Sequence, residues 1–258
     1  MARERNTNEM NRWWKTDFHT HSPASRDTHM EGVSEADWLM AFMEAGIDVI
    51  AITDHNTGLW IDQVKMAYTQ MERELIPGFR PLTIFPGVEI TTGDGVHLLA
   101  LFDLHQGTET IESLLDDIGS PHTTRGEASC YADAPIHEII RIIERNNGIA
   151  IPAHIDRKRG KGIFCLDQNH LSRLIQSGSF FVVESSGDVS DWMAPYQNNP
   201  HGWAVIAGSD THTLNPDDPI SRTPGSIFTR IYMKRPTFDN LSIAFHSGKD
   251  FICREINR

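Results

Sequence analysis

Residues 49–55 are V-I-A-I-T-D-H, an apolar run that ends abruptly in an acid and a histidine. A strand that is apolar on both faces is typical of a buried parallel sheet. The pattern recurs along the chain, where apolar segments alternate with stretches of helical character and end at Glu89, His154, Glu184 and Asp210. Such alternation predicts a parallel α/β sheet or barrel.

The composition limits the classes of protein that need to be considered. The 258 residues suit one large domain, which we place at residues 13–258 after a polar tail at residues 1–12. The N-terminal residues lack the apolar segment of a signal peptide and no apolar run is long enough for a membrane span, so we expect a cytoplasmic protein. Three distant cysteines argue against a disulfide framework. A net charge of −12 argues against strong nucleic-acid binding unless bound cations reverse the local charge.

The segment D-F-H-T-H at residues 17–21 places two histidines at alternate positions of a predicted strand. Residues i and i+2 of a strand point to the same face, so His19 and His21 would present both imidazoles to one cation. Alternatively, one histidine is a core residue and the other is exposed. The rest of the chain favours the metal site, because apolar strands also end at or near His55, Glu89, His154, Asp210 and His212. The C-terminal ends of parallel strands converge on one crevice, where these ligand-type side chains would meet.

Five motifs carry a resemblance to a known family. They are D-F-H-T-H-S-P-A-S (17–25), I-T-D-H-N-T-G (52–58), P-G-V-E-I (86–90), A-H (153–154) and G-S-D-T-H (208–212). In this order they resemble the motifs of the PHP superfamily, the polymerase and histidinol phosphatase phosphoesterases. The resemblance implies that family's distorted (β/α)7 barrel, with the metal site at the C-terminal ends of the strands. The chain is most similar to PHP domains joined to SMC- or AAA-like ATPases, which implies an ATPase domain or chain as a partner.

The resemblance also implies two or three divalent metal ions. One metal would be held by His19, His21, Glu89 and Asp210. A second would share Glu89 and add His154 with either His97 or His122; we favour His97 because it lies in a predicted strand. A third would be held by Asp27, His55 and His212, with His29 as an alternative to Asp27. Imidazole-rich sites favour Mn²⁺, Zn²⁺ or Fe over Mg²⁺.

The dense basic run R-K-R-G-K at residues 157–161 directly follows the strand that ends at His154. It is either a solvated loop or a grip on substrate phosphate through Arg157, Arg159 and Lys161. Arg222 is a further candidate for phosphate binding. Asp54 either orients the neighbouring imidazole of His55 or simply ends its strand.

These inferences predict a metal-dependent phosphoesterase in which a hydroxide held between two metals attacks a phosphoester. The expected catalytic residues are Glu89 as the metal bridge, Arg157, and His122 as an acid if it is not a ligand. The expected substrate is DNA or a nucleotide, with a small phosphate ester as the alternative. Amidohydrolases share the first H-x-H motif, but the other motifs are not expected of them. A non-catalytic metal-binding module that regulates or docks an ATPase would lack turnover.

Overall fold

The computed structural model describes residues 10–157, 161–219 and 221–256. Within these ranges the chain forms a mixed α/β fold with a curled seven-stranded sheet. The strands are β1 Arg12–Asp17, β2 Val49–Ile52, β3 Thr83–Thr91, β4 His97–Leu101, β5 Ile149–Pro152, β6 Val182–Glu184, β7 Ala204–Ile206, β8 Ile227–Met233 and β9 Ile252–Ile256. The α-helices are α1 Glu35–Glu44, α2 Ile61–Glu74, α3 Thr108–Asp117, α4 Ile136–Arg145, α5 Gln168–Gln176 and α6 Phe238–Ser247.

The large sheet has the order β5-β4-β3-β2-β1-β8-β9. Strands β1, β2 and β3 run parallel to one another, as the sequence predicted. The large sheet as a whole is mixed, because β4, β8 and β9 run antiparallel to the strands beside them. Between β3 and β4 the connection is a short turn at residues 92–96, too short for a parallel crossover. The alternation of strand and helix expected of a (β/α)7 barrel is therefore interrupted at this point.

The remaining two strands form a separate parallel pair, β6 with β7. Strand β6 lies beside β5, and β7 lies beside β9, so this pair occupies the gap between the two edges of the large sheet. The parallel direction of β6 and β7 brings Glu184 and the loop after Ile206 to the end of the fold where His154 follows β5.

Both faces of the central strands are buried, which explains their nearly continuous apolar sequences. In β2, Ile50 and Ile52 pack into the core between the sheet and most of the helices. The alternate residues, Val49 and Ala51, pack into a second core that includes three side chains of α6, namely Leu241, Ala244 and Phe245. The period of two along a strand thus divides one apolar run between two cores.

Several local signals in the sequence have their expected structures. Ser34 caps α1 by accepting the backbone N–H of Asp37, and Gly248 ends α6 with a φ of 72°. Residues 119–133 form an irregular loop with a short 3₁₀ turn at His122–Thr124. Arg12, the last residue that we assigned to the polar tail, pairs with Met233 in the sheet.

No α-helix in the described part of the chain is both long and apolar enough to cross a lipid bilayer.

Candidate metal centre

Side chains from the ends of successive strands meet at one end of the fold. They are His19 and His21 after β1, His55 after β2, Glu89 in β3, His97 at the start of β4, His154 after β5, and Asp210 and His212 after β7. Asp210 and His212 are partly exposed, and the other six are buried. Strand β1 ends at Asp17, so His19 and His21 lie on the loop beyond it rather than on the strand that the sequence predicted. Their rings nevertheless lie side by side, with centroids 5.3 Å apart.

The Glu89 carboxylate occupies the centre of this cluster. Its Oε1 lies 2.6 Å from Nδ1 of His97 and 3.1 Å from Nε2 of His154. Its Oε2 lies 2.9 Å from Nδ1 of His55 and 3.2 Å from Nε2 of His19. A carboxylate whose two oxygens face different imidazoles has the arrangement needed to bridge two cations.

One side of the cluster has the composition of a complete cation site. One ligand atom from each of four residues lies within 4.8 Å of the others, and the four are His19, His21, Glu89 and Asp210. The Oδ1 of Asp210 is 3.3 Å from Nε2 of His19 and equally far from Nε2 of His21. Two imidazoles with two carboxylates form a donor set that suits first-row transition metals and zinc.

Neighbouring residues hold these two imidazoles in the orientation that a metal requires. Nδ1 of His19 donates to Oε2 of Glu184 across 2.8 Å. The Ser25 hydroxyl donates to Oδ1 of Asp54 at 2.7 Å, so its oxygen accepts the hydrogen bond from Nδ1 of His21 at 2.9 Å. With the proton on Nδ1 in both rings, each Nε2 keeps its lone pair for a cation.

The unpartnered buried atoms test whether a metal fits. Nε2 of His19, Nε2 of His21, Nδ1 of His55 and Oε2 of Glu89 are buried without a hydrogen-bond partner in the described structure. Leaving such polar atoms unpaired costs about 1–3 kcal/mol each, and they all face one another at the cluster. Divalent cations would satisfy them together, so the residues present fit a metal centre.

A second side of the cluster is more open to solvent. Oδ2 of Asp27 lies 3.2 Å from Nε2 of His55 and 3.4 Å from Nε2 of His212. His21, His55 and His212 form another set of mutually close ligand atoms, and His55, Glu89 and His97 form a third. The structure therefore brings Asp27 to the two histidines with which the sequence grouped it. The alternative residue His29 instead pairs with Asp218, its Nδ1 lying 2.8 Å from Oδ2.

In the metal-free cluster, the pKa values of the histidines depend on burial and on the carboxylates beside them. Burial lowers the pKa of His55, but Glu89 and Asp27 outweigh this effect and raise that pKa to about 10. Burial likewise opposes protonation of His19, yet Glu184, Glu89 and Asp210 hold its pKa well above the ordinary value. For His97, burial prevails and lowers the pKa to about 4. The metal-free centre thus retains protons on some of the atoms that a cation would occupy.

Two cluster residues adopt a backbone conformation that is unusual for side chains with a Cβ. Asp210 has a φ of 54° and His154 a φ of 30°, both in the left-handed region. Hydrogen bonds hold each in place, from Asp210 N–H to the His19 carbonyl at 2.8 Å and from His154 N–H to Glu184 at 3.0 Å. Close packing also explains Gly208, where a Cβ would lie 2.6 Å from that of His19.

The structure does not bring His122 into the cluster. Its Nε2 lies 3.0 Å from Asp116, and its side chain is 73% exposed on the surface loop. His122, which the sequence offered as a ligand or as the acid for the leaving group, therefore lies outside the cluster in this structure. The sequence could not place this histidine, because its loop has no apolar periodicity to fix its position.

Of the residues predicted to bind phosphate, some lie at the cluster and others lie away from it. Arg157 reaches the cluster, its guanidinium donating to Oδ2 of Asp210 across 2.5 Å, and it also lines an adjoining cavity of about 370 Å³. Lys161 instead donates to the carbonyl of Ala128 at 3.0 Å. Arg222 is half-buried and pairs through its backbone with Thr211, between Asp210 and His212. Arg159 lies outside the described residues.

Sequence reasoning missed the residues that support the ligands. In the sequence Glu184 indicates only the end of a strand, and no pattern distinguishes Ser25. Asp54 does act at the site, but through Ser25 it orients His21 rather than the adjacent His55. For Glu184, the available signal was an acid at the end of an apolar strand, the same signal that marked Glu89.

No protein-family model matches the chain, and no curated protein matches it. Solved structures do share its fold. The lesion-specific endonuclease PfuEndoQ from Pyrococcus furiosus aligns with a TM-score of 0.63 and 18% identity over 95% of this chain. Endonuclease Q in complex with a 27-mer duplex substrate, with an abasic lesion at the active site, gives the same TM-score and identity. This chain spans 58% of the length of each of these proteins.

A third structure with the same fold is a two-domain protein from Bacteroides vulgatus that contains a predicted PHP-like metal-dependent phosphoesterase. It aligns with a TM-score of 0.57 and 14% identity, over 95% of this chain and 65% of that one. At these identities the likeness establishes the fold. The structural neighbours of this chain thus include PHP-like metal-dependent phosphoesterases and an endonuclease, in keeping with the resemblance carried by its motifs.

Proposed function

We propose that this protein is a metal-dependent phosphoesterase. The observation that carries the proposal is the buried cluster centred on Glu89, in which imidazole and carboxylate atoms face one another without other partners. The fold of the structural neighbours supports it, because they include an endonuclease and a PHP-like phosphoesterase. We further propose that residues 13–258 act as one phosphoesterase domain.

The proposed ligands follow the geometry of the cluster. His19, His21, Glu89 and Asp210 would hold one cation. Glu89, with His97 and His154 on its Oε1, would hold a second. Asp27, His55 and His212 would hold a third where His21 also approaches. The imidazole-rich donor set favours Mn²⁺, Zn²⁺ or Fe over Mg²⁺.

Divalent cations bound here would lower the pKa of water and neutralise charge on phosphoryl oxygens. The protein's own residues would provide orientation and phosphate binding. Arg157 already points its guanidinium at Asp210 beside the cluster, where a phosphate oxygen could replace the carboxylate as its acceptor. Glu184, through Nδ1 of His19, and Ser25, through Nδ1 of His21, would keep the ligand imidazoles fixed during turnover. Arg222 beside Thr211 is a further candidate for substrate contact.

We propose DNA or another nucleotide as the substrate class. Endonuclease Q, which shares the fold, was solved with a duplex substrate at its active site. An SMC- or AAA-like ATPase partner is proposed from the sequence motifs alone. Such a partner would help to explain how a chain with a net charge of −12 engages a polyanion.

The decisive experiment is to reconstitute the purified protein with Mn²⁺, Zn²⁺, Fe²⁺ or Mg²⁺ and to assay a monoester, a diester and DNA. We expect at least two metals per chain and hydrolysis of at least one substrate, abolished by chelation. Metal binding without turnover of any substrate would instead support the non-catalytic regulatory module.

A further inference from the structure

A groove lies between α4 and α5 on the outside of the fold, and nothing in the proposed chemistry uses it. It encloses a cavity of about 320 Å³. The residues that line it are His137, Arg141, His170, Arg173, Leu174 and Ser177. Four of these six side chains are basic residue types, two from each helix.

The two arginines of the groove have no ion-pair partner in the described part of the chain, whereas an acid lies near His170. Arg141 and Arg173 are exposed, and within the described ranges neither guanidinium forms an ion pair. Two acids lie at the groove's upper edge. Asp94 is 3.8 Å from Nδ1 of His170 and also accepts the N–H of Ile136 at 2.6 Å. Asp167 caps α5 by accepting the N–H of Asn169 and of His170, each at 3.0 Å.

The turn between β3 and β4 connects the groove with the strand that carries His97. Asp94 belongs to the turn between β3 and β4, and His97 of the cluster follows it by three residues. Through Asp94 this turn binds the first N–H of α4 and approaches His170 of α5. Asp94 thus connects the turn that precedes His97 to the N-terminal ends of α4 and α5.

The spacing of the basic side chains suits a repeating anion. Arg141 lies four residues after His137 on α4, and Arg173 lies three residues after His170 on α5. These steps correspond to about 6 Å and 4.5 Å along the helix axes. In a duplex, one strand carries a phosphate about every 3.4 Å along the duplex axis, so these steps are of the same order as the spacing of successive phosphates.

We propose that this groove binds the backbone phosphates of a nucleic-acid strand whose scissile phosphate lies at the metal centre. This inference rests on the proposed phosphoesterase function and defines its substrate as a polymer. Arginine favours phosphate because its planar guanidinium donates two parallel hydrogen bonds. A lipid surface suits the groove poorly, because it is concave and its one aliphatic lining residue, Leu174, is buried.

The test compares the parent protein with the double variant Arg141→Ala/Arg173→Ala. The control, Arg73→Ala/Lys249→Ala, removes two exposed positive charges outside the groove. Binding of labelled single-stranded and duplex oligonucleotides of about 20 nucleotides is measured by fluorescence anisotropy in EDTA, between about 50 and 200 mM salt. We expect the groove variant to bind at least about tenfold more weakly at low salt. Its plot of log affinity against log salt should be shallower by about 1.4–1.8, because two phosphate contacts are lost. The control should match the parent.

Hydrolysis of p-nitrophenyl phosphate and bis(p-nitrophenyl) phosphate by the metal-loaded proteins separates the two proposals. Equal turnover of these small esters by parent and groove variant, with oligonucleotide binding lost only in the variant, supports both proposals. Equal oligonucleotide binding by all three proteins would contradict the proposed role of the groove but not the proposed phosphoesterase function. Groove-dependent binding of oligonucleotides without hydrolysis of any ester would contradict the proposed phosphoesterase function but not the proposed nucleic-acid site in the groove. Groove-dependent binding to phosphatidylserine vesicles, with no binding to oligonucleotides, overturns the choice of ligand.

Discussion

Glu184 accepts a hydrogen bond from Nδ1 of His19 across 2.8 Å in the candidate metal centre. Both side chains are buried, and the same Glu184 oxygen also accepts the N–H of His154 at 3.0 Å. One carboxylate thus fixes the tautomer of one proposed ligand and the backbone of another. This arrangement corresponds to the carboxylate–histidine–metal triads in which a ligand's second nitrogen is hydrogen-bonded.

The first prediction follows from this contact. Glu184→Gln keeps the size of the side chain but removes the charge that supports His19. We expect metal affinity to fall about 10- to 100-fold while the fold is retained. Competition with a chromophoric chelator measures the affinity, and circular dichroism checks the fold. Parent-like affinity in this variant would show that Glu184 does not support the ligand.

The second prediction concerns Glu89, which faces five histidines. Glu89→Gln should remove charge from two cation sites at once, so metal content should fall and turnover should drop by orders of magnitude. Elemental analysis and a phosphoesterase assay measure these effects. The matched control is Glu127→Gln, a change at a more exposed carboxylate that pairs with Arg26. Near-normal turnover in Glu89→Gln would place the bridge elsewhere.

The third prediction tests the role of Ser25. Ser25→Ala would leave Oδ1 of Asp54, Nδ1 of His21 and the N–H of His55 without their shared partner. Because these groups are buried, we expect a loss of about 1–3 kcal/mol in the free energy of unfolding, together with weaker metal binding. Urea denaturation of the metal-free protein measures the first effect. Ser129→Ala, at an exposed serine, serves as the control, and equal stability of the two variants would refute the prediction.

The fourth prediction concerns pH. The pKa of His55 is raised to about 10 by Glu89 and Asp27 against the effect of burial, and that of His19 is also raised. At neutral pH the metal-free centre therefore holds protons that an incoming cation must displace. Metal affinity should increase with pH through the neutral range. Calorimetric titrations in buffers of different ionisation enthalpy should detect release of at least one proton, and a pH-independent affinity without proton release would contradict this.

The fifth prediction addresses Arg157, whose guanidinium contacts Asp210 at the cluster. If it binds substrate phosphate, Arg157→Ala should lower kcat/KM about ten- to a hundredfold, equivalent to about 1.5–3 kcal/mol of transition-state stabilisation. Metal content should stay at the parent level. Arg26→Ala provides the comparison, because that arginine forms an exposed ion pair with Glu127. A kcat/KM at the parent level in both variants would show that Arg157 does not bind substrate phosphate.

The sequence by itself determined which strands end in ligand-type residues. An apolar run can be buried on both faces only if its polar residues lie at its end, so V-I-A-I-T-D-H indicated both a central strand and the position of His55. The same argument placed Glu89, His154 and Asp210 at the C-terminal ends of strands. Local capping signals such as Ser34 also needed only neighbouring residues, because a helix end is satisfied within one turn.

Only the tertiary structure decided which side chains meet across the fold. The pairing of Glu184 with His19 joins residues 165 positions apart, and Ser25 lies between His21 and Asp54 because two loops fold together. The tertiary structure also decided the direction of β4, which runs antiparallel to β3 after a short turn. The apolar sequence of a strand does not indicate this direction, because the pattern is the same for parallel and antiparallel pairing. Hydrophobic periodicity records which face of a segment is buried. It does not record which distant polar atoms come within hydrogen-bonding distance, because that depends on the packing of all the strands at once.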